Sequence, residues 1–188
     1  TGVQTCALPI LTGLHQHIGN WAGKTIEKSE GTLFYKGYTI DVTDLPGIYS
    51  FTTLSAEEEI SRDFIIHQKP DCVINVVDAT NPERNLIFTL QLLELECPVI
   101  IVLNMEDLAL KRGIKIDAKK LEYLFNVPVI ESVATRGTGL SEVLDRVIEL
   151  KGKEQNHLMP SYGKEIERCV RSLMADLRGT ENPHPLRW

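Results

Sequence analysis

The chain has 188 residues with 43% hydrophobic and 24% charged side chains, ordinary proportions for a globular protein with a sizeable core. Its formal net charge of −6 argues against a nucleic-acid surface as main partner. No apolar run reaches the roughly 18 residues of a membrane span, and the N-terminus lacks the basic-then-apolar order of a signal peptide.

In chain order, the first feature is Ile18-Gly19-Asn20-Trp21-Ala22-Gly23-Lys24-Thr25, which ends like a phosphate loop. The phosphate-loop pattern is G-x-x-x-x-G-K-[ST] between a buried strand and a helix. Gly19 to Gly23 is one residue too short, the preceding LTGLHQH is no buried strand, and the following residues read as extended chain. Thr32–Asp44 predicts two strands joined by a tight turn at Lys36-Gly37, and Asp44-Leu45-Pro46-Gly47 stops the second. Ser55 and Glu58 form a capping box opening a helix to about Gln68, with Glu57, Glu58 and Glu59 as a solvated first turn.

The pattern then becomes regular. Cys72–Asp78 is a strand covered on both faces. Asn81-Pro82 caps and begins a helix with Leu86, Leu90 and Leu93 as core. Pro98–Asn104 is a second buried strand. Asp117 caps a helix through Phe125, and Pro128–Ala134 is a third strand. Gly137 and Gly139 break the chain before the helix LSEVLDRVIEL. Strands alternating with helices at this pitch predict a mainly parallel α/β sheet with helices on both faces. After Leu150 a polar linker leads to a helix capped by Ser161, from about Tyr162 to Leu177. Cys6, Cys72, Cys97 and Cys169 are scattered and read as buried thiols in a reducing compartment, with neither zinc nor disulfides. His15 and His17 read as solvated.

Ligands of open parallel sheets sit beyond the carboxyl ends of the strands. Three strand ends hold candidates: Asp44-x-x-Gly47, Asn104-x-x-Asp107, and Val133-Ala134-Thr135. Each alone is ordinary turn chemistry. In this order they resemble a GTPase domain of the translation-factor-like class.

That resemblance implies roles. Asp107 accepts the N1–H and N2–H₂ donors of guanine, Asn104 holds N7, and the Ala134 N–H meets O6. Val133 and Thr135 flank that contact as further nucleotide-binding positions. Asp44 holds Mg²⁺ through a water, and the Gly47 N–H meets the γ-phosphate. Thr25 becomes the threonine of a first switch loop, offering its hydroxyl to Mg²⁺ and its N–H to the γ-phosphate, so Thr25 and Gly47 are the catalytic candidates.

LTGLHQHIGNWAGKTIEKSEG, DLPGIYS, VDATNPERNLIFTLQLLEL, NMED and VATRGTGL together resemble the cytosolic GTPase domain of the ferrous iron transport protein B family. This implies a P-loop GTPase-like fold, GTP/GDP and Mg²⁺ as ligands, and K⁺ as a further cofactor held near Asn20 and Trp21. It also implies a membrane permease domain as partner within the whole protein, a place on the cytoplasmic face of the bacterial inner membrane, and homo-oligomers of the full-length protein. The fragment itself is expected to be soluble.

The resemblance divides the chain at 1–10, 11–150 and 151–188. Residues 1–10, TGVQTCALPI, are read as unrelated or artefactual sequence. Residues 11–150 form a G domain without first strand or phosphate loop, and 151–188 a linker and truncated all-helical segment resembling a guanine-dissociation-inhibitor domain. A missing phosphate loop removes hydrogen bonds to charge contributing roughly 1.5–3 kcal/mol each, so nucleotide affinity and hydrolysis by this chain are expected to be impaired. Ile48 stands where many GTPases place a water-orienting Gln, implying slow hydrolysis. Alternatives are a soluble GTPase of ribosome or RNA assembly, disfavoured by the acidic balance, and an inert interaction fragment.

Overall fold

The structure, a computed structural model, describes residues 16–21, 25–47, 55–95, 97–153, 155 and 161–177. The chain divides into two compact units, 1–158 and 159–188.

The first unit begins with an antiparallel sheet of β1 (Gln16–Asn20), β2 (Glu27–Tyr35) and β3 (Tyr38–Asp44), in that order. The β2–β3 turn is Lys36-Gly37, both at positive φ (48° and 83°). That is the turn handedness that matches strand twist. The sequence reading missed β1 and started β2 five residues late. The reason is visible in the burial: Ile18 is exposed, so β1 shows no apolar alternation and is held by its ladder to β2.

The second sheet is parallel, ordered β4 (Val73–Asp78), β5 (Val99–Asn104), β6 (Val129–Ser132). The six positions of β5 are all buried. Val99, Ile101 and Leu103 face one cluster with Ile65, Leu92, Leu93 and Val127, while Ile100 and Val102 face another with Ile130 and Val143. The strand period of two thus feeds two cores at once, which is why PVIIVLN has no polar face. Each fully buried aliphatic side chain contributes about 1.5–3 kcal/mol.

Helices α1 (Ala56–Gln68), α2 (Pro82–Glu94) and α4 (Ala118–Phe125) supply the first cluster, and α5 (Leu140–Leu150) the second. Short α3 (Glu106–Lys111) follows β5 directly. Among the described residues the two sheets share no ladder. Residues 1–10 lie outside the described residues.

Caps follow the sequence in part. The Ser55 hydroxyl accepts from Glu58 N at 3.2 Å, and the Asp117 carboxylate accepts from Lys120 N at 3.0 Å. Asn81 makes no side-chain cap; Pro82 begins α2 and the Asn85 amide donates to Asn81 O at 2.9 Å. Glu58 is no solvated first-turn residue: it is buried beside Ser61 and Ile65 on the inward face of α1. Burial pushes the Cys72 thiol up to about 12 and Cys97 to about 11. Cys169 is exposed, against expectation, and Cys6 lies outside the described residues.

Gln155, just after α5, joins the first residue of β5 by two bonds. Its amide donates to Val99 O at 3.1 Å and its oxygen accepts from Val99 N at 2.6 Å. The second unit contains α6 (Lys164–Leu177), starting later than expected. Gly163 O accepts the first helical bond, from Glu167 N at 3.0 Å.

Candidate functional site

Parallel register brings Asp78, Asn104 and Ser132 level at the carboxyl ends of β4, β5 and β6. Asn104 is 5% exposed and binds the neighbouring loops together. Its Oδ1 accepts from Ala134 N at 3.1 Å and from Ser132 Oγ at 3.4 Å, and its backbone oxygen accepts from Ala79 N at 2.9 Å. A buried amide with these partners is fixed in orientation, because any rotation leaves a buried donor unpaired.

Met105 then turns the chain through left-handed backbone (φ 62°), and its carbonyl accepts from Leu108 N and Ala109 N at 3.0 Å each. This starts α3 and places Asp107 in its first turn, half-buried, with Arg136 Nη2 3.5 Å from its Oδ2. The N-x-x-D stretch is therefore a helix start and not only a turn.

Opposite it, Val133 bridges Thr138, with Val133 N donating to Thr138 O at 3.3 Å. Ala134–Arg136 forms one 3₁₀ turn. The β6 strand thus ends at Ser132, two residues earlier than the sequence suggests, and Ala134 is buried while Thr135 is exposed. Gly139 closes the loop at φ +85°, where a Cβ would lie 2.5 Å from Glu131 O, so only glycine fits without a shift. Ser132 and Arg136 were not singled out by sequence reasoning, whereas Gly139 was read as a chain break.

The second group lies on the antiparallel sheet. Ladder register puts Asn20, Glu27 and Asp44 at one end of the ribbon, so the Thr25 loop and Asp44 share that end. Trp21 N donates to Ile26 O at 2.9 Å, closing the loop that exposes Thr25. The Trp21 ring meets Phe64 of α1 edge-on (5.5 Å, 82°), with Lys28 Nζ 5.1 Å above it.

Asp44 is half-buried, and desolvation alone pushes its carboxyl up to about 6. The next residue, Leu45, packs on the core of the parallel sheet. Gly47 is exposed. Ile48, His15 and the side chain of His17 lie outside the described residues. The structure thus joins Asn104, Asp107, Val133, Ala134 and Thr135 into one group, and sets Thr25 and Asp44 at one ribbon end. Among the described residues no three His, Cys, Asp or Glu side chains gather as a metal site, and no helix is long and apolar enough to cross a membrane.

A parallel sheet covered on both faces, with N-x-x-D and a braced third loop at its strand ends, defines a P-loop GTPase-like domain. The family model described as "Ferrous iron transport protein B" matches residues 3–147, starting inside the segment 1–10 that the motifs set apart. The chain belongs to this family, in its N-terminal G domain. It is 40% identical over 183 residues to the Fe(2+) transporter FeoB of Salmonella typhimurium, covering 95% of this chain and 23% of that protein. It is 38% identical over 181 residues to the Fe(2+) transporter FeoB of Staphylococcus aureus, covering 96% and 27%. The chain therefore spans about a quarter of the length of these relatives. Among solved structures, the cytosolic domain of the T. maritima FeoB iron transporter in its GMPPNP form superposes with a TM-score of 0.89 at 37% identity, over 95% of this chain and 71% of that one.

Proposed function

We propose that this chain is the guanine-nucleotide-binding, GTP-hydrolysing regulatory part of a ferrous iron transporter, working at the cytoplasmic face of the inner membrane beside the permease domain of the same protein. The carrying observation is the buried Asn104 amide that holds the Ala134 loop at 3.1 Å, with Asp107 at the start of the next helix. Asp107 offers an acceptor-only carboxylate for the two N–H donors of guanine, and the Ala134 N–H, which donates to Asn104 Oδ1 in this structure, is the candidate donor to O6. Adenine lacks those donors. Relatives' structures carrying GMPPNP or GDP support the reading.

For the phosphates, Gly47 N–H and Thr25 are the candidate contacts, and with Asp44 they form a hard-oxygen set suited to Mg²⁺. Mg²⁺, when bound, neutralises charge on the phosphates. Asp44 must be ionised to serve it, so Mg²⁺-dependent binding is expected to weaken below about pH 6. K⁺ near Asn20 and Trp21, and homo-oligomers of the whole protein, belong to the same reading. The sequence contains no G-x-x-x-x-G-K-[ST], so base selectivity with modest affinity is expected from residues 11–150, followed by the linker and helical segment of 151–188.

The test is titration with a fluorescent GDP and Mg²⁺, with unlabelled GDP and ADP as competitors. GDP is expected to compete at least tenfold better; equal competition by ADP would overturn the assignment.

A further inference from the structure

The guanine-reading edge already has partners within the chain. Ala134 N–H donates to Asn104 Oδ1, and Arg136, two residues further in the same turn, sets Nη2 3.5 Å from Asp107 Oδ2. The chemistry of the second contact is specific. The N1–H, C2 and N2–H₂ atoms of guanine form a planar guanidine-like unit with two parallel donors. An arginine side chain ends in the same unit. To the Asp107 carboxylate, Arg136 and guanine are alternative ligands of one shape.

The Arg136 side chain is 65% exposed, so it can swing into solvent without opening the core. Asp107, 26% exposed and anchored in the first turn of α3, has less freedom to turn away. A base approaching this carboxylate therefore meets a tethered competitor.

We propose that Arg136 is a built-in competitor for the guanine-reading carboxylate, which the base must displace, and that it lowers nucleotide affinity and so favours exchange. This rests on the guanine-binding reading above. A binding-competent state available only part of the time weakens the apparent affinity by that fraction. For an exposed ion pair closed half to four-fifths of the time, that is roughly two- to fivefold.

The test compares fluorescent-GDP dissociation constants of the native chain, Arg136→Ala and Arg136→Lys. Arg136→Ala is expected to bind about two- to fivefold tighter, with Arg136→Lys closer to native because an ammonium still pairs with Asp107. The advantage should shrink from low to high salt as the pair is screened.

A double-mutant cycle separates competition from the general effect of removing a positive charge near phosphates. Asp107→Asn replaces the shared acceptor with an amide that donates to the C2 oxygen of xanthine. In that background, read with xanthosine diphosphate, Arg136→Ala should give no tightening. Equal or weaker GDP binding by Arg136→Ala, or equal tightening in both backgrounds, overturns the proposal. Guanine-selective binding that is indifferent to Arg136 sinks this inference alone. Failure of native and variant chains to bind GDP at millimolar concentration sinks the guanine reading with it.

Discussion

The two sheets carry their candidate residues in opposite states of readiness. On the parallel sheet, Asn104 and Ala134 are buried and bonded to each other, and Asp107 is pinned at a helix start. On the antiparallel ribbon, Thr25 and Gly47 are exposed, and Asp44 is half-buried with its carboxyl displaced by desolvation alone. One half is organised by its own hydrogen bonds. The other is held by its strand ladders, with its candidate groups at one end of the ribbon. Under the proposed function this is the division a nucleotide switch needs, since a reader of base identity should hold still and a sensor of the terminal phosphate should not.

The comparison can be broken most forcefully at Asn104. Asn104→Ala strands the buried Ala134 N–H and removes a partner of Ser132. We expect a loss of about 3 kcal/mol, a fall in melting temperature of roughly 6–12 °C. A loss below about 1 kcal/mol in denaturant unfolding would show that the edge is not preorganised.

Gly139→Ala adds a Cβ at left-handed φ against Glu131 O, costing about 2–3 kcal/mol. Gly37→Ala, at φ +83° with nothing within 4 Å, should cost only about 1 kcal/mol. Equal costs by chemical denaturation would erase the contrast between braced loop and open ribbon.

Asp44 gives a pH-dependent effect. Its folded carboxyl, near 6, lies above the unfolded value of 3.8, so the folded state binds more protons between those values. The contribution to stability is fully present below about pH 4 and lost as pH rises through about 6. The full shift corresponds nominally to about 3 kcal/mol, reduced to about 1 by partial solvent screening. Asp44→Asn should therefore be about 1 kcal/mol more stable than native at pH 8 while losing Mg²⁺ affinity. Urea midpoints at pH 4 and 8 check the sign, because the gain should vanish at the lower pH.

The smallest effect is expected on the outer ribbon. Phe34 is 83% exposed on β2, so Phe34→Ser should change unfolding free energy by less than about 0.5 kcal/mol. A larger loss would mean that this face is covered.

The parallel half was legible because its signals are local and strong. PVIIVLN is apolar without interruption, and Ser55 and Asp117 cap where side-chain chemistry says they should; on the ribbon, the equally local Lys36-Gly37 turn forms as expected. What escaped depended on contacts distant in sequence. β1 exists because β2 offers it a ladder, and no pattern in QHIGN announces that. Glu58 turns inward where the acidic triplet suggested solvent. The motifs identified Asn104 and Asp107 by spacing, but not that Ser132 and Arg136, about thirty residues on, would reach them. Such pairings belong to the sheet register, which single-residue propensities do not encode.

The two bonds from Gln155 to Val99 have a mechanical consequence. Val99 begins β5 and Asn104 ends it, about 17 Å away along a stiff strand buried at every position. A pull on the chain beyond Gln155 is delivered to the foot of that rod, at the opposite end from the residue that braces the Ala134 loop. Load on this part of the chain is therefore carried by the same strand that ends in the brace of the Ala134 loop.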